Sequence, residues 1–171
     1  EYLLKLLRSE LEHRESQRRD KFLKNAGFYT IKPLDGFRFD EVTLPAAISP
    51  DYLRNCEFIK TKTNLVMYGN VGTGKTYLSI ALGVEACQVG IEAGFFRTAA
   101  LVNRLSEAKK TGVLSAFMKK LAKAELLICD EWGYVPLDRT GAQLLFEVIS
   151  ECYEHNTLII NTNIEFSRWV N

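Results

Sequence analysis

An apolar run that breaks into glycines constrains this chain more than any other stretch. Residues 64–68 read Asn-Leu-Val-Met-Tyr, and they are followed by Gly69, Asn70, Val71, Gly72, Thr73, Gly74, Lys75 and Thr76. The spacing is G-x-x-x-x-G-K-[ST] between a predicted strand and a predicted helix. The glycines let the backbone adopt positive φ and approach an anion closely, so several N–H groups can point into one cavity. The stretch is therefore predicted to form a phosphate-binding loop.

Two side chains at the end of this loop have separate predicted roles. Lys75 provides positive charge for the β- and γ-phosphates of a nucleoside triphosphate, and Thr76 provides a hydroxyl ligand for Mg²⁺. Both lie at the start of a helix, where the helix dipole favours negative charge. A glycine-rich turn that matches by accident is the alternative, and the flanking strand and helix argue against it.

Length and composition narrow the class of protein. The chain has 171 residues, 25% of them charged, with a formal net charge of +1, which fits one domain with a substantial core. It shows neither a run of eighteen apolar residues nor a secretory signal, and we expect a cytoplasmic protein in which Glu1 is not the native first residue. The cysteines are far apart and lack a C-x-x-C pair, which favours buried reduced thiols over disulfides or a zinc site. They are Cys56, Cys87, Cys129 and Cys152.

The small net charge hides a polarised distribution. Residues 97–123 carry seven Lys or Arg and one acid, whereas residues 124–171 carry two Arg and eight acids. A basic segment can bind polyanions whatever the charge of the remaining surface. The bases of the first segment are candidate DNA contacts, and a solvated basic face is the alternative. They are Arg97, Arg104, Lys109, Lys110, Lys119, Lys120 and Lys123.

Strand and helix patterns alternate along the chain, which predicts an α/β fold with a parallel sheet flanked by helices. Predicted strands cover 64–68, 94–97, 126–131 and 157–163, and predicted helices cover 1–24, 50–60, 74–89, a segment capped by Thr98, 113–123 and 139–154. Ser49 and Asp138 are predicted helix caps. The domain division is 1–32 for an N-terminal helix and linker, and 33–171 for the core.

Two N-terminal features allow more than one interpretation. Residues 14–21 mix both charge signs, which favours a solvated face with i,i+4 ion pairs over a DNA or partner contact. In the extended segment 33–48, Phe37 and Phe39 occupy alternate positions. Packing of these rings on the domain is favoured over a place beside a nucleotide base.

Two acids follow the apolar run at 126–129. Ligands of doubly wound sheets bind outside the carboxyl ends of the strands, so Asp130 is predicted to face the phosphate-binding loop and to hold Mg²⁺. Glu131 is the predicted catalytic residue that orients and deprotonates the attacking water, which favours hydrolysis over phosphoryl transfer to another substrate. Asn163 is a predicted catalytic residue that reaches the γ-phosphate or the water, and a turn residue bonded to local backbone is its alternative.

These residues resemble those of the AAA+ ATPases of the IstB-like transposase helper group, relatives of the DnaC-type helicase loaders. The resemblance runs from about Phe37 to Asn171, and its most specific stretches are 69–87, 95–105 and 126–154. The family has Leu-Gly-Tyr-x-Pro after its acidic strand, where this chain has a tryptophan in place of the leucine, at Trp132. The resemblance implies that Asp130 and Glu131 are the Walker B pair and that Asn163 is the sensor, with Asn161 two residues earlier on the same strand face.

The resemblance also implies a function: an ATP-hydrolysing, DNA-binding regulator that assembles as an oligomer on duplex DNA and works with a transposase. The family continues with a fifth strand and a helical lid carrying further arginines, so we expect weak hydrolysis by this chain alone. Arg139 and Arg168 are the candidates for an arginine contributed between subunits. The alternatives are a replicative helicase loader, an ATP-gated assembly module with little hydrolysis, and a small-molecule kinase.

Overall fold

The alternating pattern becomes a layered structure in a computed structural model, which describes residues 1–134, 136–153 and 155–165. The strands are β1 (Leu65–Tyr68), β2 (Ala93–Arg97), β3 (Leu126–Trp132) and β4 (Thr157–Thr162). The helices are α1 (Tyr2–Asn25), α2 (Pro50–Arg54), α3 (Glu57–Lys60), α4 (Lys75–Gln88), α5 (Thr98–Lys110), α6 (Leu114–Leu121) and α7 (Arg139–Tyr153), with a 3-10 turn at Phe39–Glu41.

The strands form one parallel sheet in the order β1-β4-β3-β2. Leu65 pairs with Ile159, Leu127 with Leu158, and Ala93 with Leu126. The order places β4 between the strand that precedes the phosphate-binding loop and the strand that ends in the acids. The predicted parallel α/β sheet is therefore confirmed.

Apolar side chains cover both faces of the sheet, because successive strand residues point to opposite sides. Leu126 and Ile128 pack in a core with α4 and the segment that follows α1, while Leu127 and Cys129 pack in a second core with α5 and α7. Gly83 of α4 permits the close approach in the first core: a Cβ there would lie 2.6 Å from Cζ of Phe28. The two cores hold the carboxyl ends of the strands in fixed positions.

The first half of α1 lies outside both cores. Its apolar stripe is exposed, with Leu3 at 73% and Leu7 at 54% of full accessibility. Ion pairs join Arg14 to Glu10 and Arg19 to Glu15 at i,i+4 spacing, as the mixed-sign segment predicts. None of the described helices is long and apolar enough to cross a membrane.

Local geometry differs from the sequence prediction at three places. The helix predicted over 50–60 is divided, because Cys56 takes a left-handed conformation with φ 54°. Thr98 does not cap α5; its hydroxyl donates to the backbone carbonyl of Asp130 over 2.8 Å. The last strand ends at Thr162 rather than at residue 163.

Two predicted caps are confirmed. The backbone N–H of Tyr52 donates to Oγ of Ser49, and that of Gly141 donates to Oδ1 of Asp138.

All four cysteines are buried and carry free thiols. Cys87 and Cys129 are each 1% exposed, so the predicted burial is confirmed.

Candidate functional site

The phosphate-binding loop connects the carboxyl end of β1 to the start of α4. Gly72 and Gly74 have φ of 86° and 85°, values that other residues adopt only with strain. Gly74 immediately precedes the first helical residue, Lys75. The glycines thus give the chain the sharp turn that brings free N–H groups of a helix N-terminus to one point.

Lys75 folds back into this loop. Its Nζ donates to the backbone carbonyls of Gly69 and Asn70 over 2.8 and 2.7 Å, and it lies 3.3 Å from Oγ1 of Thr73. Burial lowers the pKa of Lys75 below the ordinary lysine value, and the negative charge of Asp130 opposes that shift. The ammonium is therefore held by neutral carbonyls, from which an anion in the loop would attract it.

Thr76, at the start of α4, contacts Asp130 of β3, although β4 lies between β1 and β3 in the sheet. Oγ1 of Thr76 donates to the carboxylate, 3.0 Å from Oδ1 and 3.2 Å from Oδ2. Asp130 is 3% exposed, because it lies within β3, whose first five residues are buried. The two residues predicted from the sequence to share a metal ion are therefore brought together.

The donor set suits Mg²⁺. A hydroxyl and a carboxylate are hard oxygen ligands, and Mg²⁺ is often held by one or two protein groups together with waters and substrate phosphates. Within the described residues, no group of three or more His, Cys, Asp or Glu side chains could hold a metal by itself. The site fits an ion that arrives with phosphate ligands.

Asn161 links this pair to the core. Its Nδ2 donates to Oδ1 of Asp130 and to Oγ of Ser79, both over 2.8 Å. Ser79 in turn donates to the backbone carbonyl of Thr76 over 3.1 Å. Asn161 is 2% exposed, and its Oδ1 has no hydrogen-bond partner in the part of the chain that the structure describes.

Asn163 lies elsewhere. It follows the end of β4 and is exposed, so its predicted catalytic role remains a prediction. The amide that contacts Asp130 belongs to Asn161, the alternative on the same strand face. The alternation of side chains along a strand places residues 159, 161 and 163 on one side of the sheet, which made both asparagines candidates. The sequence did not show that β4 ends at Thr162.

Asp130 and Glu131 form a β-bulge in β3. Cys129 pairs with Ile160 and Trp132 with Thr162, so the two acids lie opposite the single residue Asn161. Glu131 has φ 58°, and a left-handed conformation costs a residue of this kind about 1–3 kcal/mol. Backbone strain and β-bulges of this kind are concentrated at functional sites. The sequence pattern predicted the two acids, but it contained no signal for the bulge.

The bulge gives the acids different surroundings. Asp130 is buried against Thr76 and Asn161, whereas the side chain of Glu131 is 50% exposed with its carboxylate 3.9 Å from Nε of Arg97. The exposed acid can contact a water molecule or a partner, and the buried acid can contact only groups inside the site.

A cavity of about 620 Å³ lies beside the loop, between β1 and the segment that precedes α2. Phe37 lines it and stacks on Tyr77 with a centroid distance of 5.9 Å. Phe39 packs edge-on against Phe37 at 5.0 Å. Both rings pack on the core, as predicted, and Phe37 also lies beside Gly74 of the phosphate-binding loop.

The predicted DNA contacts are exposed, and they lie along β2, α5 and α6. Arg97 ends β2, Arg104 lies within α5, Lys109 and Lys110 end it, Lys119 and Lys120 lie on α6, and Lys123 follows α6. Arg139 begins α7 and is exposed. Arg168 lies outside the described residues.

The fold is shared with replication proteins. A DnaC helicase loader is 24% identical, with a TM-score of 0.61 over 81% of this chain and 80% of that chain. Domain III of the Thermotoga maritima replication initiation protein DnaA is 23% identical, with a TM-score of 0.62 over 81% of this chain and 60% of that chain. At this level of identity the similarity shows the fold, which is the P-loop AAA+ fold.

Similarity in sequence is greater among insertion sequence proteins. The IS5376 protein of Geobacillus stearothermophilus is 33% identical over 99% of this chain and 67% of its own length. The IS21 protein of Pseudomonas aeruginosa is 32% identical over 99% of this chain and 64% of its own length. The chain therefore spans about two thirds of these relatives.

The family model described as "IstB-like ATP binding protein" matches residues 1–171. With Thr76 of the phosphate-binding loop in contact with Asp130 at one end of the sheet, the chain belongs to this family of IstB-like ATP binding proteins.

Proposed function

We propose that this chain binds ATP and hydrolyses it to ADP and phosphate. The contact between Thr76 and Asp130, 3.0 Å long, is the observation that carries the proposal. It joins the end of a phosphate-binding loop to a buried acid on another strand, which is how P-loop enzymes arrange a nucleotide and its metal ion. The family description names ATP as the ligand.

The loop binds the phosphates. Backbone N–H groups at the start of α4 point at the β-phosphate, and Lys75 leaves the carbonyls of Gly69 and Asn70 to pair with the β- and γ-phosphates. The cavity behind Phe37 accepts the base and sugar because it adjoins the loop. Thr76 and Asp130 would hold Mg²⁺, which would supply positive charge beside the phosphates.

Thr76 and Asp130 would be the protein ligands of the metal ion, and Asn161 fixes the carboxylate of Asp130 by its 2.8 Å hydrogen bond. Glu131 accepts a proton from the attacking water as the oxygen of that water bonds to the γ-phosphorus and the bond from the γ-phosphorus to the β–γ bridging oxygen breaks, which releases ADP. The half-exposed carboxylate of Glu131 can reach a water, which the buried Asp130 cannot. This division of roles favours hydrolysis over transfer to a second substrate.

We infer a place of action from the relatives. They are named as insertion sequence proteins, so we propose that the chain assembles as an oligomer on duplex DNA in the cytoplasm and regulates a transposase. The exposed lysine and arginine side chains of α5 and α6 would contact DNA phosphates. Residues 33–171 form the ATPase core in this proposal, and residues 1–32 form a helix and linker that precede it.

The test is phosphate release from ATP by the wild type, Asp130→Asn and Glu147→Gln. Glu147 is an exposed acid of α7, so its variant controls for the loss of one negative charge. We expect ATP-dependent release by the wild type and by the control, and near-complete loss in Asp130→Asn. Equal release by all three proteins would contradict the proposal.

Binding and partner are tested separately. A fluorescent ATP analogue should bind the wild type in the presence of Mg²⁺ and should not bind Lys75→Ala. Capture of a transposase rather than a replicative helicase by the full-length protein would support the insertion sequence assignment. Capture of the helicase alone would replace it with the helicase-loader function.

A further inference from the structure

A second cavity, of about 560 Å³, opens at the β2 edge of the sheet. Its walls are the end of α1 with the turn after it, the strand β2, and the facing sides of α5 and α6. Its volume is within the range of about 300–1,000 Å³ that ligand sites occupy. None of the residues that line this cavity belongs to the phosphate-binding loop, although Arg97 also lies 3.9 Å from the carboxylate of Glu131.

The lining combines cations with aromatic rings. The cations are Arg97, Arg104 and Lys120, and the rings are Tyr29, Phe96 and Phe117. All three cations are exposed and can contact a ligand, and the carboxylate of Glu131, 3.9 Å from Arg97, offsets part of the charge of that residue. Glu92 is the acid among the lining residues, and the local charge is therefore positive.

The rings and cations are paired in space. The guanidinium of Arg97 lies 5.4 Å from the ring centroid of Tyr29, and that of Arg104 lies 5.9 Å from the ring centroid of Phe96. The ring of Tyr29 also contacts Phe95 in a T-shaped arrangement at 5.9 Å, yet Tyr29 is 60% exposed, which leaves part of the side chain accessible to a ligand. Aromatic rings for stacking beside cations for phosphate are the features by which proteins bind single-stranded nucleic acid.

A paired duplex would not use these rings. Its bases are stacked inside the helix, and its backbone presents phosphate oxygens, which are contacted by cations and hydrogen-bond donors rather than by the faces of aromatic rings. The lysine side chains of α5 and α6 that lie outside the cavity are sufficient for contacts with phosphates. They include Lys109, Lys110 and Lys119. Phe96 and Phe117 also pack on the second core, but the exposed ring of Tyr29 beside the cations of the cavity suits a ligand that presents an unpaired base together with its phosphate.

We propose that the cavity between the α1 turn, β2, α5 and α6 binds an unpaired nucleotide of DNA, with its base on Tyr29 and its phosphate on Arg97, Arg104 and Lys120. This inference rests on the DNA binding in the proposed function and makes it more specific. The protein would favour DNA that is single-stranded, or that has a base displaced from the stack, at the point of contact.

The test compares two short oligothymidines by fluorescence anisotropy, with ATP and Mg²⁺ saturating. One is intact, and the other has abasic sites at its centre, which keep the phosphates and remove the bases. Since stacking on one aromatic side chain is worth about 1–3 kcal/mol per base, we expect the wild type to bind the intact strand at least about fivefold more tightly.

Three variants locate the effect. Tyr29→Leu should bind both strands equally, Tyr29→Phe should keep the preference for the intact strand, and Tyr153→Leu should behave as the wild type. Tyr153 is a matched control because it is exposed on α7 and does not line the cavity. If Tyr29→Leu does not fold, the comparison of the two strands on the wild type still tests whether binding depends on the bases, since equal binding of both strands overturns the proposal.

The outcomes separate this inference from the proposed function. Equal binding of intact and abasic strands by the wild type would overturn the base site, while duplex binding would leave the proposed DNA contact in place. A preference for the intact strand that survives Tyr29→Leu would also overturn it. If neither single strands nor duplexes bind, both the inference and the proposed DNA binding fail.

Discussion

Nδ2 of Asn161 donates a hydrogen bond to Oδ1 of Asp130 over 2.8 Å. The donor lies on β4, which separates β1 from β3 in the sheet, and both side chains are buried. A buried carboxylate needs hydrogen-bond donors to remain charged and oriented. Asn161 and Thr76 provide them, so Asn161 is a positioning residue for Asp130.

We expect Asn161→Ala to lower the rate of ATP hydrolysis by about 10- to 100-fold, the usual effect of removing a group that orients a metal ligand. The Mg²⁺ concentration for half-maximal activity should rise in the same variant, which a general loss of packing would not cause. Steady-state phosphate release across a Mg²⁺ titration measures both effects. Asn163→Ala is the matched control, and a larger effect in that variant would assign the role to Asn163.

Glu131→Gln should bind ATP with unchanged affinity and lose about 10²–10⁴-fold in hydrolysis, the usual contribution of a general base. The amide keeps the size of the side chain but cannot accept the proton of water. Single-turnover assays with radiolabelled ATP measure the loss, and Glu147→Gln should retain the wild-type rate. Full activity of Glu131→Gln would remove Glu131 from the mechanism.

The same variant distinguishes an ATPase from an ATP-gated assembly module. If hydrolysis normally ends assembly, Glu131→Gln should form larger or longer-lived complexes on DNA in the presence of ATP. Size-exclusion chromatography with light scattering measures them. Identical assemblies of the wild type and the variant would indicate that hydrolysis does not control disassembly.

The pKa of Lys75 gives a prediction for pH. Burial lowers this pKa below the ordinary lysine value, so Lys75 loses its proton on the alkaline side at a lower pH than lysine in water. Bound phosphates favour the charged form, and ATP affinity should therefore fall as pH rises through the pKa of the free protein. Titrations with a fluorescent ATP analogue across the alkaline range measure this.

Lys75→Arg is the control for that titration. Arginine stays charged throughout the range, so whatever affinity remains should vary less with pH than in the wild type. A parallel fall in both proteins would assign the pH dependence to other groups.

Reversing the charges of Lys119 and Lys120 on α6 should weaken duplex binding and reduce its salt dependence. Removing one interaction with a DNA phosphate makes the slope of log affinity against log salt shallower by about 0.9. Anisotropy titrations at several salt concentrations measure the slope. Lys60→Glu, an exposed lysine of α3, should leave it unchanged, and an unchanged slope in the α6 variant would assign DNA binding to another surface.

The cysteines should be unreactive in the folded protein. Burial raises the pKa of Cys56, Cys87 and Cys152 to about 11 and that of Cys129 to about 12, so the reactive thiolate is scarce at neutral pH. We expect slow modification by a disulfide reagent and rapid modification of four thiols in denaturant. Rapid modification of one thiol under native conditions would indicate local opening around it.

The sequence predicted the sheet and the loop well because each depends on local pattern. The apolar runs at 126–129 and 157–160 are long enough to identify buried strands, and the glycine spacing of 69–76 specifies its own geometry. Asp138 and Ser49 likewise cap helices within a few residues of their own positions. Such features require no knowledge of which strand pairs with which.

The remaining features depend on tertiary pairing. The bulge at Glu131 depends on the pairing of β3 with β4, in which two residues of β3 lie opposite Asn161. The hydroxyl of Thr98 donates to the carbonyl of Asp130 because β2 adjoins β3. Cys56 takes a left-handed φ although no glycine marks that position. Neither propensity nor periodicity contains information on these contacts.

The sheet order has a consequence for biosynthesis. Among the described strands, β4 is the last in the chain, and it is the strand that joins β1 to β3. A nascent chain that has been made as far as Trp132 already contains both the phosphate-binding loop and the acids, but not the strand that holds them side by side. Because domains fold as synthesis proceeds from the N-terminus, the ribosome must complete the chain through Thr162 before the two halves of the site can meet.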